Sequence, residues 1–133
     1  MGRDEILNMP AGREMDALIA EKVMGLRVHI KPERQKVDLG FYRRKIEYRT
    51  INWVYAGGYL LRSYSTDISA AWDVVEKLKT IYHMSIWTDY YEDRNNYGCR
   101  FQLRGGGQSS YPVISDTAPL AICRAALLAA MEE

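Results

Sequence analysis

Arg43, Arg44, Lys45 and Arg49 are interleaved with Tyr42, Tyr48, Trp53 and Tyr55 in one stretch of the chain, and Arg100 and Arg104 stand on the polar side of another. Guanidinium groups grip phosphate through paired hydrogen bonds and aromatic rings stack on bases, so this mixture suits a nucleotide or single-stranded nucleic acid. From Lys31 to Arg49 seven basic residues stand against three acidic ones, although the whole chain carries a formal charge of only +1. So small a net charge supplies no field for nonspecific nucleic-acid binding. The candidate ligand contacts are Arg43, Arg44, Arg49, Trp53, Arg100 and Arg104. A solvated sheet face edged with tyrosines accounts for the same residues without a ligand, and ten tyrosines in so short a chain also suit a protein interface.

Other chemistries find less support. His29 and His83 are the only histidines, and neither has a second ligand at metal-binding spacing. Asp89, Glu92 and Asp93 gather at a predicted turn, where they suit either a divalent cation or ordinary turn chemistry. No serine sits in G-x-S-x-G. Gly105, Gly106 and Gly107 follow Arg104 and could aim N–H groups at an anion, but the P-loop spacing is missing. Cys99 and Cys123 lie far apart in sequence, which fits two buried thiols in a reducing compartment better than a disulfide framework. No catalytic residue, metal site or cofactor is expected.

These residues need a scaffold, and 133 residues suffice for a single domain, residues 1–133, with one core. Hydrophobic residues make up 47% and charged ones 26%, which is ordinary globular usage. The longest apolar run, Ala118 to Met131, contains Arg124 and is too short to span a bilayer. The opening MGRDEILNMP has acidic residues where an export signal needs positive ones, and Ile6 breaks the myristoylation pattern. A cytoplasmic protein without membrane contact is expected.

Three principal helices are predicted. Arg13 to Met24 places Met15, Leu18, Ile19 and Val23 on one face and stops at Gly25. YSTDISAAWDVVEKL, from Tyr64, places Ile68, Ala71, Trp72, Val75 and Leu78 on one face; Ser65, Thr66 and Asp67 are all suitable caps, which puts its start near Ser65 or Thr66. The third begins at Asp116 or Thr117 and is apolar around most of its circumference, so it must be covered on more than one side. Arg124 interrupts it, and pairing with a carboxylate, binding an anion at a subunit boundary, or reaching to water all remain open.

Between the helices the period changes to two. Leu26, Val28 and Ile30 alternate with Arg27 and His29 as in a strand with one buried face, Phe41 to Tyr55 reads as one long strand or two short ones, and AGGY closes it with a turn. YHMSIWTDY and YGCRFQLR pair as an antiparallel hairpin around a turn at EDRNN, with Tyr82, Met84 and Ile86 on one side of the first strand and Tyr97, Cys99, Phe101 and Leu103 on one face of the second. GGGQSSYP is a loop. The fold class is α+β, a three-layer α/β/α-type sandwich with a mainly antiparallel sheet.

The blocks MPAGREMDALIAEKVMG, YSTDISAAWDVVEKL and TAPLAICRAALLA together resemble the phage ABA sandwich domain family, small phage and prophage proteins of Bacillus and related Firmicutes. The resemblance implies a sheet layered with helices across the whole chain and brings no catalytic residues with it. No family pattern stands out between Lys31 and Leu61 or between Ile81 and Pro112. With the arginine and tyrosine mixture, the resemblance leads to a non-enzymatic binding protein that sequesters a small phosphorylated nucleotide, such as a signal of host antiviral defence, in a cleft of a homo-oligomer. The alternatives are an adaptor or inhibitor acting on a host or phage protein, and a metal-dependent nucleotide hydrolase using Asp89, Glu92 and Asp93.

Overall fold

A computed structural model of the chain describes residues 2–38, 40, 46–91, 94–106 and 112–131. Among these residues four α-helices and six strands follow in order: α1 (Arg3–Asn8), α2 (Arg13–Leu18) continued by a π-helical turn (Ile19–Val23), β1 (Val28–Asp38), β2 (Ile46–Ala56), β3 (Tyr59–Leu60), α3 (Ile68–Leu78), β4 (Tyr82–Tyr91), β5 (Arg94–Leu103), β6 (Val113–Ser115) and α4 (Ala118–Met131). The mixed α+β class and the antiparallel pairing expected from the sequence are both present. The strands divide into two sheets, ordered β1-β2-β3 and β4-β5-β6.

Helix α4 organises the core. Leu120, Ala121, Ile122, Cys123, Ala125, Ala126, Leu127, Leu128 and Ala129 are all buried, so every side of the helix is covered, as its composition requires. It packs on β5 and β6 and is met by α1, the π-helical turn and α3. Phe101 and Cys99 come from β5, and Val74 and Ala71 from α3. The Thr117 hydroxyl accepts from Leu120 N at 3.4 Å and starts the helix.

The start of α3 falls at the last of the three expected caps, just beyond Ser65 and Thr66. Asp67 is the N-cap, accepting from Ser69 N at 2.9 Å, while Ser65 is turned into the interior. The buried face is Ala70, Ala71, Val74, Val75 and Leu78. Ile68 and Trp72 are 52% and 47% exposed, so two residues assigned to the core by spacing lie on the surface. Small residues at 70 and 71 let α3 sit close to α4, and the apolar stripe rotates accordingly.

Arg124 is held within the fold by a carbonyl and a hydroxyl rather than by a carboxylate. Its Nε and NH2 donate to the Met9 carbonyl at 3.3 and 2.8 Å, and its NH1 donates to Ser115 Oγ at 3.0 Å. It clamps the segment after α1 onto the end of β6. Desolvation lowers its pKa from the usual arginine value, against an opposing pull from the Asp116 charge.

The first sheet is an arm. Strands β1 and β2 pair over eleven positions, from Val28 with Ala56 to Asp38 with Ile46, a span of roughly 35 Å at the usual strand rise. Only its base joins the core, through Val28, Val54 and Ala56. Further out, Ile30 is 64% exposed, which corrects its expected inward placement, and Tyr48 is 58% exposed. The strand predicted at Leu26 to Ile30 runs on through charged residues to Asp38. Gly57 and Gly58, both with positive φ, form the two-residue turn into β3.

Pro32 fits the interior of β1 because of register. Gly57 N donates to Arg27 O at 3.1 Å, and hydrogen-bonded pairs alternate along an antiparallel ladder, so residues 27, 29 and 31 bond across to β2. Pro32, opposite Asn52, falls in a non-bonded pair. Its missing N–H therefore faces the free border of the sheet.

The second sheet pairs β4 with β5 from Tyr82 and Leu103 to Tyr91 and Arg94. Of the turn expected at EDRNN, Arg94, Asn95 and Asn96 belong to β5, and Glu92 and Asp93 lie outside the described residues. β6, unforeseen in the sequence, adds three residues beside β5, with Ile114 opposite Gly98.

Candidate functional site

Of the six candidate contacts, Arg43 and Arg44 lie outside the described residues. The other four separate into two pairs on different sheets. Arg49 and Trp53 are on β2, four residues apart and so on one face of the arm. Arg100 is in β5 and Arg104 follows it directly.

On the arm the cations and rings are engaged locally. Trp53 Nε1 donates to Glu33 Oε2 at 2.8 Å, Arg49 lies 3.9 Å from Glu47, and the Arg34 guanidinium sits 4.4 Å above the Tyr48 ring. His29 stacks on Tyr55 at 5.5 Å. The Arg49–Glu47 pair lies within β2 itself and offsets one of the seven positive charges between Lys31 and Arg49.

The second sheet presents a different surface. Cys99 and Phe101 are fully buried against α4, so alternation places Gly98, Arg100 and Gln102 on the opposite face. Across the ladder they meet Trp87, Ser85 and His83 respectively. His83, Ser85, Gln102 and Ile114 are exposed, while Trp87 and Arg100 are partly so. Arg104 bends back over this face: its Nε donates to Lys79 O at 2.8 Å and its NH1 lies 3.1 Å from His83 Nε2. Since a guanidinium only donates, His83 Nε2 is the acceptor in that contact.

Arg100 stands apart among the described residues. Its Nε is buried and has no hydrogen-bond partner. An unpaired buried donor is costly, about 1–3 kcal/mol, and more on a charged group, so an acceptor brought to this atom would be favoured.

Two residues here escaped the sequence reading. The space a Cβ would occupy on Gly98 is filled by the indole Cε2, Cζ2 and Nε1 atoms of Trp87. The ring thus lies on the backbone of β5, one rung from Arg100. A glycine inside a strand is the available signal, since it marks a bulge or a close approach, but its partner follows only from the register.

Of the acidic cluster considered for acid-base or metal chemistry, only Asp89 lies among the described residues. Asp89 is paired with Asn96 in β4, while Glu92 and Asp93 lie outside the described residues. Among the described residues no three His, Cys, Asp or Glu side chains group as metal ligands would. Both cysteines are buried and unpaired. Desolvation raises the Cys99 thiol from 9.0 to about 12, and Cys123 is raised further by burial and then by the Asp16 charge. Neither is an activated nucleophile. Among the described residues no helix is long and apolar enough to cross a membrane.

An antiparallel α+β body around a fully covered C-terminal helix defines the structural class: a small layered domain with its polar face on a sheet. The chain belongs to the phage ABA sandwich domain family, whose model matches residues 17–127. It is similar to a phage protein from Bacillus cereus ATCC 14579 known from a 2.0 Å crystal structure, at 28% identity and a TM-score of 0.58, over 91% of this chain and 93% of that one. No curated protein matches it.

Proposed function

We propose that this phage-family protein is a non-catalytic binding protein that captures a small phosphorylated ligand of nucleotide type on the outer face of the β4-β5-β6 sheet. The observation that carries this reading is Arg100, whose buried Nε lacks an acceptor in a face that also holds Arg104, Ser85 and Gln102. A phosphate oxygen would satisfy that donor through a charge-assisted hydrogen bond, and the fixed fork of the guanidinium favours a second, parallel one. Acting in the host cytoplasm, the protein would remove a nucleotide signal of antiviral defence by mass action, which needs abundance and affinity but no bond breaking.

The test is retention. Protein incubated with nucleotide extract from infected bacteria, washed and denatured, should release an unchanged phosphorylated compound. The Arg100→Ala variant should retain none, while Arg49→Ala should retain as much as the parent protein, because Arg49 sits on the other sheet. Equal retention by Arg100→Ala would remove the site, and a chemically altered compound would point instead to turnover.

A protein-protein adaptor remains the second reading, favoured by the exposed Ile68 and Trp72 on α3. Tryptophan in an exposed apolar pair is a common anchor of interfaces. Ionic strength separates the two, since phosphate capture weakens as salt rises and an apolar contact does not.

A further inference from the structure

We infer that Trp87, seated on Gly98, is the residue that reads the ring of the ligand, so the site takes a nucleoside monophosphate unit rather than a bare phosphate or a sugar phosphate. This rests on the proposed phosphate site at Arg100 and adds a second contact to it.

Three features of the sheet support the assignment. The first is the lack of a side chain at position 98. Any Cβ there would collide with the indole, so glycine is the residue that lets the ring lie against the strand backbone. One indole face is thereby covered by protein, and a flat heteroaromatic ring can stack on the other with Trp87 already held in place. The second is position. Trp87 lies across from Gly98, and Ser85 lies across from Arg100, two residues further along β5, roughly 7 Å at the usual strand rise. That separation is comparable to the reach from a base to its phosphate across one ribose. The third is the surround. Ile114 of β6 flanks Gly98 on the side away from Trp87, while Ser85 and Gln102 flank the arginine, giving an apolar end for the ring and a polar end for the sugar phosphate.

Titration calorimetry with adenosine monophosphate, ribose 5-phosphate and inorganic phosphate on the full chain tests this. The nucleotide is expected to bind at least about tenfold more tightly than ribose 5-phosphate, the scale of a single base-aromatic stack. Trp87→Ala should abolish that preference while leaving the affinity for ribose 5-phosphate unchanged, and Trp87→Phe should keep part of it. Gly98→Ala should lower nucleotide affinity by displacing the indole, with thermal unfolding followed in parallel for all three variants. Equal affinity for nucleotide and ribose 5-phosphate, or a preference that survives Trp87→Ala, overturns the ring-reading role and leaves the phosphate site standing. If no phosphorylated probe responds to Arg100→Ala, the phosphate site itself fails.

Discussion

The carboxylate of Asp16 accepts two hydrogen bonds from Ser65, one from its backbone N–H at 2.8 Å and one from its hydroxyl at 2.7 Å. Ser65 Oγ in turn accepts from Gly12 N at 2.9 Å. A charged residue that is 3% exposed thus ties α2 to the turn before α3, and the network replaces the capping role expected of Ser65. Bonds to an ionised acceptor contribute about 1.5–3 kcal/mol each, and losing the acceptor also strands the Ser65 N–H.

Asp16→Ala should therefore destabilise the fold by about 2–4 kcal/mol in denaturant unfolding. Ser65→Ala should cost less, and a double-mutant cycle should give a coupling above about 1 kcal/mol. Additive effects would mean that the two side chains act independently.

Arg124→Met keeps most of the buried stem and removes the clamp on Met9 O and Ser115 Oγ. The loosened part should be the N-terminal segment, because α1 packs on α4 and its following carbonyl loses its donor. Protease cleavage within residues 2–12, or faster amide exchange there, is the expected readout, with α4 itself unchanged. Uniform loss of protection across the chain would contradict a local clamp.

The exposed face of α3 can be checked by contrast. Trp72→Gln should alter stability by no more than about 0.5 kcal/mol, as for a surface site, whereas Val74→Ala should cost roughly 1–3 kcal/mol because Val74 is fully buried. The reverse ranking would restore the face drawn from spacing alone.

The thiols make a pH prediction. Cys99 holds its proton in the fold up to about 12, while an ordinary thiol in the unfolded chain loses it near 9.0. In that window the native state binds more protons than the unfolded one, so stability is full below it and falls as pH rises, by at most about 1.4 kcal/mol per pH unit per thiol. At neutral pH neither cysteine should react with a disulfide reagent until denaturant is added. Fast labelling of native protein would overturn their burial.

Helix positions were legible because their signals are local. Thr117 caps where a cap was expected, Gly25 stops the second helix with φ of +69°, and the apolar circumference of α4 demanded the cover it has. The phase of α3 was not legible, because Ile68 and Trp72 share the spacing of a buried stripe and only the approach of α4 to Ala70 and Ala71 decides between them. β1 beyond Ile30 was hidden for a related reason. Its residues face water on both sides of the arm, so no alternation of apolar and polar types marks it. At the candidate site the arginines were visible as residue types, but their separation onto two sheets depends on pairings between residues far apart. The seat of Trp87 on Gly98 depends on one rung of that ladder.

Pro32 has a consequence for how this protein keeps to itself. A bare two-stranded ribbon invites a passing chain to zip along its rim, the route by which native proteins seed fibrils. Here the rim lacks a donor at its middle and carries Lys31, Glu33, Arg34 and Lys36 around the gap. A strand templated on β1 would lose a ladder bond at that point, so the proline and its charged neighbours weaken edge-to-edge growth along the ribbon.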